Sequence, residues 1–365
     1  MSTKNTLKLG LSDLRLQYLA EGAANVVYRI LPPDPDSGQK TAADLYFENY
    51  DLDSDTPLPT EIPPLQIDPV LNGKLVRLRK DLPTTAPTSD SQSHFEAMIK
   101  PLFQTENLVE AVLFEPSSDL LISCNKELRR MEADGTRPAK RHGDYLVEDE
   151  KHGCLISDMS CPDPERFKCF EFKPKWLVQS PSAPAGSRRC RTCALRAMKK
   201  SKKSENPETS KAAFCPLNLV SIDKAKLSIF VEHMLELNPK RDRSKDADVT
   251  AAERERLMEF LYKNPLLDRL RDLQLELDPD GVFKADLMSP TFLAAMTLRD
   301  CTLYLKVPTS GKGGIEARLG DLDLKTSSGK KAEYWRSLES QLIDGGWYKA
   351  TEEGNTSQEN LCQLS

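Results

Sequence analysis

A change of pattern part-way along the chain is the feature that most constrains the fold. The first half contains short segments of β-branched, aromatic and alternating residues, such as 26–31 and 73–80, separated by loops rich in Pro and Asp. After Pro216, apolar residues recur at helical spacing over 224–237 and over 251–277, the latter forming one long helix or two that divide near Pro265. Strands followed by helices, with a few further strands towards the end, predict an α+β fold.

The length of the chain favours two domains. A chain of 365 residues can bury two medium hydrophobic cores. We expect a β-rich N-terminal lobe at 1–160 and a larger C-terminal α+β lobe at 161–365, with a helical segment at about 216–280. The sequence has no run of eighteen apolar residues, so we expect no membrane span. Its nine cysteines are scattered and odd in number, which favours reduced thiols.

Charge is distributed unevenly along the chain. The formal net charge of −5 argues weakly against a protein that binds nucleic acid over its whole surface. Residues 165–203 are nevertheless rich in Lys and Arg and poor in acids. A local basic stretch in an acidic protein predicts a focused anion site. A solvated basic face followed by a loop would explain the same composition.

Two short motifs could bind phosphate groups. EGAAN at 21–25 is a turn of small residues between two predicted strands, where backbone N–H groups could approach phosphates. It is not a Walker A loop, and a plain hairpin turn is the simpler explanation. EFKPK at 171–175 places Glu171, Lys173 and Lys175 on one side of an extended segment, which would form an anion site or a charged surface strand.

Two acids lie beside predicted strands of the C-terminal half. Asp300 precedes the segment CTLYLKV, and Asp321 follows a glycine in GDLDLK. Phosphoryl transfer needs one acid to orient the attacking hydroxyl and another to hold Mg²⁺. Taken singly, each aspartate is more simply explained as a capping or turn residue.

The CxxC spacing of Cys190 and Cys193 leaves a zinc site open. A single CxxC without a second pair of ligands is a weak zinc signal. Further ligands would have to come from elsewhere in the chain, and the candidates are Cys154, Cys161, Cys169, Cys215 and His152.

The order of the motifs is more informative than any one of them. EGAANVVY, LVRLRK, RPAKR, EFKPKW, RDCTLYL and DLDLK resemble, in this order, the inositol-pentakisphosphate 2-kinase family, and most closely a fungal member. The resemblance implies a two-lobed kinase-like fold with ATP between the lobes. It also implies transfer of phosphate to the 2-hydroxyl of inositol 1,3,4,5,6-pentakisphosphate, giving the hexakisphosphate (phytate).

The resemblance assigns nucleotide-binding roles to residues of both lobes. The turn resembles the family's loop over the ATP phosphates, and Arg77 resembles a nucleotide-contacting arginine. Asp158 falls at the connector where adenine would bind, although the family often has Asn-Asp-His where this chain has Ser157, Asp158 and Met159. The nucleotide-binding residues so assigned are Gly22, Ala23, Ala24, Asn25, Arg77, Asp158 and Glu171.

The resemblance also implies a catalytic centre and a substrate pocket. Asp300 resembles the catalytic aspartate, assisted by Lys173, and Asp321 resembles the Mg²⁺ ligand. Arg196 is preferred over Lys199 as the basic residue after EFKPK, and Arg269 or Arg271 could match an Asn-Asn-x-Arg segment of plant members. The residues assigned to the inositol phosphate are Arg141, Lys173, Lys175, Arg196, Lys325, Lys330 and Tyr334.

The expected cofactors are ATP and Mg²⁺, and the expected partner is the inositol pentakisphosphate substrate. We expect a monomer that needs neither a membrane nor nucleic acid and works in the nucleus, the cytoplasm or both. Two other functions remain open. One is a related kinase acting on another inositol polyphosphate. The other is a noncatalytic module that binds polyanions or RNA, which would leave Asp300 and Asp321 without a role.

Overall fold

The computed structural model groups the chain into two compact units. The first comprises Met1–Ser93 and Val109–Asp158, and the second comprises His94–Leu108 and Met159–Ser365. The structure describes residues 7–10, 14–32, 69–202, 214–236, 247–325, 331–350, 362 and 364. Within these ranges, no helix has both the length and the apolar character needed to cross a membrane. The mixture of helices and two separate sheets confirms the predicted α+β class.

A six-stranded sheet forms the core of the first unit. The strands have the spatial order β1-β5-β6-β4-β3-β2, and every neighbouring pair is antiparallel except β1 and β5. Alternation in β3 buries Val26, Tyr28 and Ile30 on one face, as the period of a strand requires. The strands are β1 (Leu7–Leu9), β2 (Arg15–Glu21), β3 (Asn25–Leu31), β4 (Lys74–Arg79), β5 (Ala111–Pro116) and β6 (Gly153–Ser157).

Two helices of the first unit are α1 (Thr88–His94) and α2 (Ser118–Ala133). The Ser117 side chain caps α2 by accepting a hydrogen bond from the backbone N–H of Leu120. Apolar residues on one face of α2, including Leu121 and Leu128, join the core of the sheet.

The second unit is mainly helical and contains a three-stranded antiparallel sheet in the order β7-β8-β9. The helical segment predicted at 251–277 forms two helices, as Pro265 allowed, because Pro265 begins a new helix at a position where its missing N–H costs nothing. The strands are β7 (Phe167–Phe172), β8 (Thr302–Pro308) and β9 (Glu316–Gly320). The helices are α3 (Arg191–Ser201), α4 (Lys224–Glu236), α5 (Ala247–Leu261), α6 (Pro265–Glu276), α7 (Pro290–Leu298) and α8 (Lys331–Asp344).

The register of the small sheet brings three loop segments together. Phe172, at the end of β7, pairs with Leu303 near the start of β8. Thr302, at the start of β8, pairs with Gly320 at the end of β9. The segments after β7, before β8 and after β9 therefore meet at one edge of the sheet. Side chains that are more than a hundred residues apart in sequence can form one site there.

Candidate active site

Asp300 lies at the centre of a group of lysines at this edge of the sheet. The Lys175 ammonium donates to Asp300 Oδ1 at 2.8 Å, and the Lys325 ammonium donates to Asp300 Oδ2 at 2.9 Å. Burial opposes ionisation of the carboxyl, but the hydrogen bonds from Lys175 and Lys325 outweigh it and lower the pKa of Asp300 to about 2. With this pKa, the carboxylate stays ionised at neutral pH, and at 40% exposure it is accessible to solvent.

Lys173 joins Asp300 to the second acid. Its ammonium donates to the Asp300 backbone carbonyl at 2.7 Å and to Asp321 Oδ2 at 2.5 Å. Burial alone would lower the pKa of Lys173, but the hydrogen bond to Asp321 and the charges of both aspartates raise it. The structure thus brings Asp300, Lys173, Lys175, Lys325 and Asp321 into one group, which we call the lysine–aspartate cluster.

Two members of the lysine–aspartate cluster have unusual backbone conformations. Lys175 has φ of 63° and Asp321 has φ of 56°, in the left-handed region that favours glycine. Each such residue costs about 1 kcal/mol or more and persists only where its surroundings hold it in place. Backbone strain of this kind is concentrated at functional sites.

A buried glutamine holds the segment that carries the lysines. The Gln274 side chain is fully buried, accepts from the backbone N–H of Leu177 at 2.9 Å and donates to the Lys175 carbonyl at 2.9 Å. It also donates to the carbonyl of Leu298, at the end of α7, at 3.3 Å. These bonds fix the loop after β7 against the helix that leads to Asp300.

An aromatic side chain between two arginines supports the same loop. The guanidinium carbon of Arg299 lies 3.8 Å from the centre of the Trp176 ring, and that of Arg191 lies 4.4 Å from it. Arg299 is buried and forms an ion pair of 2.5 Å with Asp278, and Arg191 pairs with Glu339 at 2.8 Å. Trp176, the residue after Lys175, and Arg299, the residue before Asp300, are therefore anchored in the interior.

Glu171 lies on β7 close to the lysine–aspartate cluster. Neighbouring protein atoms partly exclude water from the Glu171 carboxylate, and this desolvation raises its pKa. The positive charge of Lys173 opposes the shift, and the negative charge of Asp321 adds to it. The side chain is still accessible to solvent. A carboxylate in this position could accept hydrogen bonds from a ligand hydroxyl group.

A network of buried charges supports the predicted phosphate turn in the first unit. The turn Gly22–Ala24 joins β2 and β3, and the Gly22 N–H donates to the Asn25 carbonyl at 2.9 Å. The fully buried Lys80 ammonium donates to the Gly22 carbonyl at 3.1 Å and pairs with Glu21. Arg137 clamps both oxygens of Glu21 at 2.9 Å. Burial opposes ionisation of Glu21, but the bonds from Arg137 and Lys80 lower its pKa.

The other predicted binding residues of the first unit lie on β4, just after β6 and in a short 3₁₀ turn. Arg77 lies in β4, and its guanidinium is 3.7 Å from the sulfur of Cys154. The N–H of Asp158, just after β6, donates to the Gly73 carbonyl at 2.8 Å. Arg141 ends a short 3₁₀ turn, and its buried Nε has no hydrogen-bond partner among the described residues.

Comparisons with known proteins give the chain its family. The family model described as inositol-pentakisphosphate 2-kinase matches residues 18–341. The chain belongs to the inositol-pentakisphosphate 2-kinase family. A protein of Yarrowia lipolytica named inositol-pentakisphosphate 2-kinase is 35% identical over 181 residues, which cover 49% of this chain and 53% of the relative. The match therefore spans about half the length of that curated relative. A kinase family implies ATP as the phosphate donor.

Two further residues that the inositol-pentakisphosphate 2-kinase resemblance assigns to the inositol phosphate lie on helices of the second unit. Arg196, on α3, donates to the Phe214 carbonyl, and its guanidinium carbon lies 5.5 Å from the centre of the Phe214 ring. Tyr334 is 56% exposed in the first turn of α8. Lys330 lies outside the described residues. The alternatives Arg269 and Arg271 form ion pairs along α6.

Lys331 is a candidate that the resemblance did not provide. It begins α8, and burial together with the nearby charge of Lys325 lowers its pKa. Two ammonium groups that repel each other in this way attract a polyanion. Its only sequence signal was its position next to Lys330.

Proposed function

We propose that the protein transfers the γ-phosphoryl group of ATP to the 2-hydroxyl of inositol 1,3,4,5,6-pentakisphosphate, giving the hexakisphosphate. One observation carries this proposal: an ionised, accessible Asp300 held by Lys175 and Lys325, with Lys173 joining it to Asp321. Family membership supplies the substrate class. Phosphoryl transfer needs positioned charges more than covalent chemistry, and the cluster offers such charges.

Asp300 would orient the attacking hydroxyl group. Its carboxylate would accept the hydrogen bond of the 2-hydroxyl and direct the oxygen towards the phosphorus. Since the pKa of Asp300 is about 2, it is a weak base. The proton would therefore pass to Asp300 only late, when bond formation to phosphorus has made the hydroxyl strongly acidic.

The three lysines would bind and neutralise phosphate groups. Lys173, Lys175 and Lys325 are each about one-third exposed and now donate to carboxylates. Phosphate oxygens accept such charge-assisted bonds at least as well. Developing charge on the transferring group would then be met by ammonium groups that are already in place, so little reorganisation is required.

Asp321 is the candidate Mg²⁺ ligand. Its carboxylate is 50% exposed at the edge of the sheet, which suits an ion that binds one or two carboxylates and keeps waters and nucleotide phosphates as its other ligands. When bound, Mg²⁺ offsets negative charge on the nucleotide phosphates. In the first unit, the backbone of the turn Gly22–Asn25, supported by Lys80, is the candidate group for binding nucleotide phosphates.

A product assay tests the proposal. The purified protein is incubated with Mg²⁺-ATP and inositol 1,3,4,5,6-pentakisphosphate, and the products are resolved by anion exchange. We expect hexakisphosphate from the parent and a loss of about 10²- to 10⁴-fold in kcat for Asp300→Asn. The control Asp272→Asn changes an exposed aspartate on α6 and should retain full activity.

Three results would count against the proposal. If the folded parent, melting cooperatively, gave no hexakisphosphate, the 2-kinase function would be wrong. If it phosphorylated another inositol phosphate instead, the related-kinase alternative would replace it. Equal activity of Asp300→Asn and Asp272→Asn would remove Asp300 from the mechanism.

A further inference from the structure

A β-bulge turns a carboxylate into the interior of the first unit. Tyr18 of β2 pairs with Tyr28 of β3. Three residues later Glu21 pairs with Val26, only two residues back along β3, so β2 contains one extra residue. Because the side-chain period of a strand is two, the extra residue moves Glu21 from the opposite side of the sheet to the side of the buried Val26. The Glu21 side chain is only 1% exposed there, and bulges that redirect a side chain are frequent beside active sites.

The Glu21 carboxylate has enough partners without a second cation. The buried Arg137 guanidinium donates to both of its oxygens at 2.9 Å. The Tyr18 hydroxyl donates to Glu21 Oε1 at 3.2 Å. Burial of an ammonium group is costly unless its partners compensate for the lost water. The fully buried side chain of Lys80 therefore has to be explained by what else it contacts.

Lys80 contacts two carbonyl groups of the turn between β2 and β3. Its backbone N–H donates to the Ala24 carbonyl at 2.9 Å. Its ammonium donates to the Gly22 carbonyl at 3.1 Å. The ammonium is itself held by the ion pair with Glu21, and Asp144 Oδ2 lies 3.8 Å away from it. These two carbonyl groups are therefore directed inwards, towards a single residue.

The bond to Gly22 fixes the direction of the next N–H group. In a planar trans peptide the C=O and the N–H point in opposite directions. Since the Gly22 carbonyl is directed at Lys80, the N–H of Ala23 points away from it, and Ala23 is exposed. An outward N–H can bind a phosphate oxygen, whereas a flipped peptide would present its carbonyl oxygen and repel the phosphate.

We propose that Lys80 is a positioning residue for nucleotide binding. Its ammonium holds the peptide between Gly22 and Ala23 with the N–H outwards, and Glu21, turned inwards by the bulge, holds the ammonium. This inference rests on the proposed function, in which the turn binds the phosphates of ATP. Because the Lys80 side chain is fully buried, it acts through the turn and touches no ligand itself.

Ligands with and without phosphates separate this role from general support of the fold. Calorimetric titration measures the Kd of adenosine and, with Mg²⁺, of a nonhydrolysable ATP analogue, each with and without inositol pentakisphosphate. For Lys80→Met we expect the Kd of the ATP analogue to rise about 10-fold, as loss of one charge-assisted hydrogen bond implies. The Kd of adenosine, which has no phosphate, should stay the same. A variant that was merely loosened would bind both ligands more weakly.

A matched control and a second variant complete the experiment. Lys74→Met makes the same change on β4, at a partly exposed lysine that pairs with Glu110, and should bind both ligands like the parent. If Lys80→Met did not melt cooperatively, Glu21→Gln would take its place, because it removes the charge that holds the ammonium. Its loss of affinity should likewise be confined to the ATP analogue.

The outcomes distinguish this role from the proposed function. If a folded variant bound the ATP analogue like the parent, or lost affinity for adenosine equally, the role of Lys80 would be overturned, while hexakisphosphate formation by the parent would still stand. If the parent bound neither ligand under either condition, the proposed function would fall together with this role.

Discussion

Replacing Gln274 by leucine should separate the support of the site from its chemistry. Leucine has a similar volume but cannot form the three hydrogen bonds to Leu177, Lys175 and Leu298. At a net value of about 1 kcal/mol for each bond, the variant loses about 3 kcal/mol of unfolding free energy. For a unit of roughly two hundred residues, that loss lowers Tm by about 6–12 °C.

The decrease in kcat should be larger than a decrease in the folded fraction of the variant could explain. Without Gln274, the loop that carries Lys175 can relax from its left-handed backbone conformation. Displacement of a charged group by about 1 Å can lower kcat about 100-fold. We therefore expect Gln274→Leu to lose about 10- to 100-fold in kcat for hexakisphosphate formation at a temperature where it is fully folded.

The control is Leu275→Ala, which changes the adjacent, 53% exposed residue of α6. It should shift unfolding free energy by no more than about 0.5 kcal/mol and leave kcat unchanged. Thermal melts and initial-rate assays of both variants measure these effects on stability and on kcat. If Gln274→Leu melted and turned over like Leu275→Ala, the loop after β7 would hold its place without these bonds, and the reasoning would be refuted.

Three further predictions concern Gly22 in the first unit and Lys331 and Asp300 in the second. Gly22→Ala should raise the KM for ATP without changing the melt, because the added methyl group meets no atom of the described residues nearer than 4.0 Å but enters the space proposed for phosphates. Lys331→Met should raise the KM for inositol pentakisphosphate about 10-fold, because one contact to a phosphate group is lost. Its melting temperature should stay the same or rise, because the repulsion between Lys331 and Lys325 is removed. The pKa of Asp300 is below its usual value in the folded state, so its stabilising effect is present above pH of about 4 and lost as the pH falls to about 2. The difference in melting temperature between the parent and Asp300→Asn should narrow over that range, and a constant difference would contradict the assignment.

The sequence was most informative where local pattern and local chemistry agree. The β-branched and aromatic residues of 26–31 predicted a strand, and Pro265 offered a division of the long helical segment, and the structure confirms both. The segment forming α7 is apolar on all sides, with Phe292–Leu298 buried throughout, so it has no polar face from which helical spacing could be read.

The site was predictable only as separate motifs. Lys173, Asp300 and Asp321 were assigned by resemblance, and sheet register brings them together, which no single motif specifies. Gln274 and Arg299 were missed because a polar residue within a helical or loop pattern looks solvated until its burial is known. Positions whose neighbours are distant in sequence leave no local signal.

The left-handed conformations of Lys175 and Asp321 have a consequence for directed evolution. A library selected only for heat resistance would favour glycine or asparagine at both positions, since these residues adopt such backbone angles at lower cost. Either replacement removes a charge from the lysine–aspartate cluster. Selection for robustness alone would therefore erode the proposed catalytic function first at these two positions, so a screen should couple survival of heating to turnover.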